Sequence, residues 1–181
     1  MKYVMQDLWG TLKYAPYGVL VGILIYLFFF FCIQKKKKKF SVIQLLFWIY
    51  VAVMIIITFF SRESGHDGRI DLKIGSSLGI NLRNNAYIVE NVLLFIPYGF
   101  LLALVWRKAN TLWKHFSVGF LTSLFIEILQ LVSARGIFQA DDIITNTIGS
   151  LVGYLLYGLF VAWWIEKQDA ELCGKIITHY F

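Results

Sequence analysis

The chain has 181 residues, of which 59% are hydrophobic and only 15% are charged. Water-soluble domains carry about 25% charged residues, so this composition excludes an ordinary soluble globular protein. The formal net charge is +6, from 17 Lys and Arg against 11 Asp and Glu. Five of the positive charges form one run, Lys35 to Lys39, between two apolar segments. That position indicates a topology signal, and we expect membrane lipids rather than nucleic acid as the partner.

The two cysteines, Cys32 and Cys173, lie far apart and outside any CxxC or His-Cys pattern. The sequence therefore supports neither a disulfide framework nor a thiolate metal site, and it predicts no metal and no cofactor. The first apolar segment is long and lacks a small-residue cleavage pattern. We expect no removable signal peptide.

A helix that crosses a bilayer needs about 20 apolar residues, and the sequence contains five candidates. The third contains Pro97 and reaches sufficient length only if it begins at Tyr87, with Glu90 at the interface. We predict an all-α integral membrane protein, a bundle of five transmembrane helices that forms a single domain over residues 15–165. The predicted spans are residues 15–33, 40–60, 87–106, 116–134 and 143–165.

Three segments lie outside the predicted spans. Residues 1–14 place several apolar side chains on one helical face, which fits a short interfacial helix or a frayed terminus equally well. Residues 61–90 are rich in Gly, Ser, Asn and charge, and they predict an external loop. Residues 166–181 form the predicted tail.

Lys and Arg concentrate at one end of the predicted bundle. The lysine run lies between the first and second spans, and Arg107, Lys108 and Lys114 lie between the third and fourth. Short loops rich in Lys and Arg face the cytoplasm. We therefore predict that the N-terminus lies outside and the C-terminal tail inside.

The fourth span contains a carboxylate, Glu127, on the same helical face as Ser123 and Gln130. An acid at mid-helix costs about 2.5 to 3.5 kcal/mol on insertion scales, and intramembrane acids mark functional sites by default. The alternative is that Glu127 is protonated and only hydrogen-bonds a neighbouring helix.

The fifth span carries a second stripe, Asp142, Asn146, Gly149 and Gly153, spaced i, i+4, i+7 and i+11. The two glycines form a small-xxx-small pair, which predicts close helix packing and offers a surface for a homo-oligomer. Asp141, beside the stripe, fits the N-terminal cap of a helix, where the dipole favours negative charge.

The depth of these residues predicts that the two stripes meet. Glu127 lies seven residues before Ala134, where the predicted fourth span ends. At the rise of an α-helix, Glu127 is ~10 Å from that end of the span, and Asn146 is ~6 Å beyond Asp142 in the fifth span. Arg135 could pair with Glu127 or Asp142, or bind an external anionic group; these alternatives stay open. We predict an outward-opening polar cluster of Asn91, Glu127, Gln130, Arg135, Asp142 and Asn146.

Four features occur together in this sequence: the stretch from Asn91 to Leu102, a Glu-x-x-Gln that ends at Gln130, Arg135, and an Asp-x-x-x-Asn-x-x-Gly that ends at Gly149. In this combination they resemble the VanZ-like family of bacterial membrane proteins. The resemblance covers residues 81–156 and implies a multi-pass protein of the bacterial cytoplasmic membrane. It also implies that the six cluster residues are the motif residues. One departure is Gln139, where the family commonly has another acid, and this disfavours chemistry that needs several carboxylates.

The resemblance implies a function as well, because the named member of the family is associated with resistance to the glycopeptide teicoplanin. The leading hypothesis is a non-enzymatic protein that lowers susceptibility to glycopeptide or lipoglycopeptide antibiotics at the outer leaflet. An alternative is a membrane enzyme or binding protein for a lipid-linked envelope precursor, with Glu127 or Asp142 as general acid or base and Arg135 on a phosphate. Against an enzyme, the sequence contains no HExxH or nucleophile motif, and His66, His115 and His179 are predicted to lie in loops and tail. A structural protein or an oligomeric transporter also remains open.

Overall fold

A computed structural model describes residues 13–32, 41–60, 69–75, 82–106 and 111–180. The side chains of residues 60, 82–86 and 169–180 are outside this description. The predicted interfacial segment falls outside the described residues except for its last two positions, and the lysine run falls outside them entirely.

The described chain contains five α-helices. Each of them includes a stretch long and apolar enough to cross a membrane, and the protein is a multi-pass membrane protein. The prediction of an all-α bundle with five transmembrane helices is thereby confirmed. The helices are α1 (Ala15–Cys32), α2 (Val42–Phe60), α3 (Leu82–Val105), α4 (Leu112–Val132) and α5 (Ala140–Tyr180).

The helices bury a small core and expose large apolar side chains, as expected where the surrounding solvent is lipid. Helical segments suit this solvent because every backbone hydrogen bond is made within the segment. Around the core, α1 packs on α2, α2 on α3, and α5 on both α3 and α4. The buried core side chains are Phe47, Met54, Phe95, Tyr98, Leu102 and Ile126.

Two short strands join the connections at one end of the bundle. β1 (Ile70–Asp71) precedes α3, and β2 (Phe138–Gln139) leads directly into α5. They pair in parallel, with Ile70 opposite Phe138. The pairing brings the segment that carries β1 against the residues just before α5, at the end of the bundle where the polar residues described below lie.

The structure corrects the predicted position of one histidine. His115 lies inside α4, with its backbone N–H bonded to the carbonyl of Thr111, 3.1 Å away, so its prediction as a loop residue is wrong. The helix begins at Leu112 because Thr111, in an extended conformation, occupies the N-cap. A search for apolar runs starts the span only at Phe116, because Lys114 and His115 interrupt the apolar sequence in the first turn.

Candidate functional site

The predicted cluster residues lie at the end of the bundle where α2 and α4 finish and α3 and α5 begin. The chain turns sharply here because α4 ends in a Schellman motif. Ala134 has a φ of 52°, and the Arg135 N–H bonds back to the Gln130 carbonyl at 3.0 Å. This turn places the Arg135 guanidinium over the ring of Phe59, 5.0 Å from its centroid.

Glu127 is fully buried on α4. Its Oε2 accepts a hydrogen bond from the backbone N–H of Gln139, at 2.9 Å. Gln139 is the last residue before α5, so the carboxylate sits at the positive end of that helix dipole, where negative charge is favoured. Glu127 thereby joins α4 to the beginning of α5.

The two aspartates at the start of α5 accept hydrogen bonds from two other parts of the chain. Asp141 Oδ1 accepts from the backbone N–H of Gly75, at 2.7 Å. Asp142 Oδ1 accepts from Asn91 Nδ2 on α3, at 2.9 Å. The carboxylates therefore connect α5 both to the segment that carries β1 and to the neighbouring helix.

The two remaining amides of the cluster also bridge helices. Gln130 Nε2 donates to the Thr58 carbonyl near the end of α2, at 3.1 Å. Asn146 Nδ2 lies 2.9 Å from the hydroxyl of Ser123 on α4. Together with the contacts of Glu127 and Asp142, these hydrogen bonds connect α2, α3, α4 and α5 at the same end of the bundle.

The structure thus places all six predicted residues at one end of the bundle. Glu127, Gln130, Asp142 and Asn146 are each at most 5% exposed, whereas Asn91 and Arg135 are half-buried.

Three groups that complete the site were not predicted from the sequence. The Gln139 N–H, the Gly75 N–H and the Thr58 carbonyl all belong to the backbone. Backbone donors and acceptors are present at almost every residue, so no residue pattern marks them. Ser123 lay on the predicted stripe but was not among the predicted site residues.

The site presents carboxylate, amide and guanidinium groups. Among the residues that the structure describes, no three His, Cys, Asp or Glu side chains are grouped so as to hold a metal ion. Carboxylates, amides and one guanidinium can bind a polar ligand by hydrogen bonds and charge.

Exchanging the polar groups of Asn91 and Asp142 tests their contact. Asn91→Asp alone should destabilise the protein by about 1 to 3 kcal/mol, because two carboxylates would face each other and a buried acceptor would lose its donor. The double variant Asn91→Asp with Asp142→Asn restores one amide and one carboxylate, and we expect it to recover most of that loss. Thermal unfolding in detergent measures both. A double variant no more stable than the single one would contradict the contact.

The chain is similar to a known protein family and to a known protein. The model of the VanZ/LLP1 family matches residues 47–161. Protein VanZ of Enterococcus faecium is 40% identical over 72 residues, which is 40% of this chain and 44% of that protein. The alignment thus spans less than half of the relative's length. No solved structure matches the chain significantly.

Proposed function

Because the chain belongs to the VanZ/LLP1 family of membrane proteins, we propose that it lowers the susceptibility of a bacterium to teicoplanin-type glycopeptide or lipoglycopeptide antibiotics. The proposed working site is the polar cluster at the end of the bundle where α2 and α4 finish. The protein would act without a cofactor, by binding rather than by catalysis, in the cytoplasmic membrane.

The observation that carries this proposal is the burial of Glu127 within a set of hydrogen bonds that joins four helices. Helix packing alone does not require a carboxylate, because small apolar residues pack transmembrane helices closely. An intramembrane acid is costly to insert and is the default marker of a functional site. The residues around Glu127 are also those that the family resemblance implies.

The charge of the connections supports the orientation that we propose for the site. The cluster lies where α2 and α4 end, whereas in the sequence the lysine run follows α1, and Arg107 and Lys108 follow α3. Lys and Arg of short loops stay in the cytoplasm. In the proposed orientation the cluster faces the outer leaflet, where a membrane-anchored glycopeptide would be found.

The edge of the cluster suits the first contact with such a ligand. The Arg135 guanidinium lies against the Phe59 ring and presents a planar donor fork that matches carboxylate or phosphate groups. Asn91, half-buried on α3, donates to Asp142. In this proposal an anionic group of the antibiotic or of a lipid-linked envelope precursor binds the Arg135 guanidinium.

The experiment is the inhibitory concentration of teicoplanin for a susceptible Gram-positive host that expresses the protein. Wild type is compared with Glu127→Gln and Asp142→Asn, and membrane levels are matched by immunoblot. Glu166→Gln is the control, because Glu166 is exposed on α5 far from the cluster. We expect wild type and the control to raise the inhibitory concentration and the two cluster variants to leave it at the empty-vector value.

Two results would overturn parts of the proposal. If wild type at confirmed membrane levels gives no protection, the antibiotic function is wrong, and the lipid-linked precursor becomes the ligand to test. If the cluster variants protect as well as wild type, the function lies elsewhere in the molecule.

A further inference from the structure

Three large aliphatic side chains are exposed on the segment that carries β1. Ile70, Leu72 and Ile74 are 59%, 67% and 73% exposed, although they lie outside the five helices. Large apolar side chains that are exposed together mark a surface that contacts a membrane or another partner. We call residues 69–75 the aliphatic segment, because every second residue from Ile70 to Ile74 is aliphatic.

Hydrogen bonds fix both ends of the aliphatic segment. The Phe138 N–H donates to the Arg69 carbonyl, at 3.0 Å, where β1 pairs with β2. At the other end, the Gly75 N–H donates to Asp141 Oδ1. The aliphatic side chains are therefore exposed on a backbone that is held at each end, and this backbone cannot fold them into the core without breaking these bonds.

The opposite end of α5 marks one surface of the membrane. The sequence of α5 has no charged residue from Ile143 to Ile165. After this run, Trp163 is exposed, and the Lys167 ammonium lies 5.5 Å from the centroid of its ring. Tryptophan is enriched at the membrane–water interface, and lysine side chains extend there towards water.

The length of α5 then gives the level of the aliphatic segment. From Trp163 back to Ala140 the helix rises ~35 Å, or ~33 Å at a tilt of about 20°. The hydrocarbon core of a bilayer is about 30 Å thick, and the headgroups bring it to about 40 to 45 Å. With Trp163 at one interface, Ala140 lies at headgroup level at the other. β2 directly precedes Ala140, and β1 pairs with β2, so the aliphatic segment lies at this level too.

The apolar surface of the helices reaches the same end of the bundle. Val132, the last residue of α4, is exposed, as expected for a side chain that faces lipid. The exposed side chains of the aliphatic segment therefore extend a surface that already contacts the bilayer.

The charges of the aliphatic segment suit a lipid surface. Arg69 and Lys73 are positive, and the acid between them, Asp71, accepts a hydrogen bond from the Lys73 backbone N–H at 3.0 Å. Long cationic side chains can reach lipid phosphates while their aliphatic neighbours enter the acyl region. Anionic lipids attract Lys and Arg that lie near the membrane surface.

We propose that the aliphatic segment is a membrane anchor, which inserts Ile70, Leu72 and Ile74 into the lipid leaflet at this end of the bundle. Arg69 and Lys73 lie among the headgroups. The driving force is the removal of aliphatic surface from water.

The membrane anchor also positions the start of α5. Gly75, the last residue of the segment, bonds Asp141 in the first turn of α5, next to Asp142 of the polar cluster. Lipid contact thus holds the polar cluster at a fixed depth. The anchor is independent of the proposed role in antibiotic susceptibility, because it rests only on the exposure, charge and level of the segment.

The test is the accessibility of a nitroxide spin label on the full-length protein in liposomes of equal parts phosphatidylethanolamine and phosphatidylglycerol. Molecular oxygen, which concentrates in lipid, and a water-soluble nickel chelate report the surroundings of the label. Leu72→Cys and Ile74→Cys are labelled in a background without the native cysteines. Leu155→Cys, at an exposed position midway along α5, is the lipid reference. Lys73→Cys is the matched control within the segment.

We expect the labels of Leu72→Cys and Ile74→Cys to collide with oxygen nearly as often as the lipid reference. They should collide with the nickel chelate several-fold less often than the label of Lys73→Cys. Either aliphatic position decides alone, because both are exposed and their substitution removes no buried contact.

Two results would overturn the proposal. Frequent collisions with the nickel chelate at both aliphatic positions would mean that these side chains face water. Infrequent collisions with both reagents would mean that protein covers them, from this chain or from a second copy.

Discussion

Gly153→Leu should prevent the bundle from assembling, because α3 and α5 meet backbone to backbone at this glycine. A Cβ at Gly153 would collide with the Ile96 carbonyl and the Phe100 nitrogen, and neither backbone atom can rotate away. Overpacking of a filled interior costs about 1 to 3 kcal/mol and occasionally more. We expect a loss at or above the upper end of that range, together with a fall in the amount of folded protein.

The matched control is Gly158→Leu, on the same helix five residues further along, where a Cβ meets nothing within 4 Å. Size-exclusion profiles and thermal unfolding in detergent measure both variants. We expect the control to behave as wild type. Equal loss in the two variants would mean that leucine harms this helix for reasons other than the contact with α3.

Glu127→Leu should destabilise the protein strongly, whereas Glu127→Gln should not. Leucine removes the acceptor of the Gln139 N–H, and a buried donor without an acceptor costs about 1 to 3 kcal/mol. Glutamine has nearly the same shape, and its amide oxygen can accept the same hydrogen bond. We therefore expect Glu127→Gln to unfold within a few degrees of wild type and Glu127→Leu to unfold well below it.

This pair separates the structural role of Glu127 from its functional one. The hydrogen bond from Gln139 to Glu127 is a structural contact, so its loss lowers the midpoint of thermal unfolding. If Glu127→Gln unfolds as easily as Glu127→Leu, the negative charge itself stabilises the start of α5, and the susceptibility experiment needs variants at Asp142 instead.

Much of the site could be predicted from sequence because helical period places side chains on faces. The spacing of Ser123, Glu127 and Gln130 put them on one side of α4, and all three are buried there. The spacing of Asp142 and Asn146 did the same on α5. These inferences use only the rise and the period of an α-helix, and neither depends on which helices pack beside it.

Other features depend on tertiary contacts that no pattern encodes. Gln139 occupies a position where the VanZ-like family commonly has an acid, yet its contact with Glu127 is made by the backbone N–H. Every residue except proline would supply this N–H at that position. His115 was misplaced because it follows Lys114, and this polar pair interrupts the apolar sequence in the first turn of α4. The pairing of β1 with β2 joins two strands of two residues each, too short to show an alternating pattern.

The bond between Gly75 and Asp141 joins residues 66 positions apart, and this separation bears on the order in which the protein is made. The segment with β1 leaves the ribosome before α3 and α4, whereas β2 and the first turn of α5 follow both helices. Transmembrane helices insert first and associate afterwards. The polar end of the bundle therefore has no complete set of partners until the last helix is in the membrane, and a nascent chain stopped after α4 carries Glu127 without the amide that binds it.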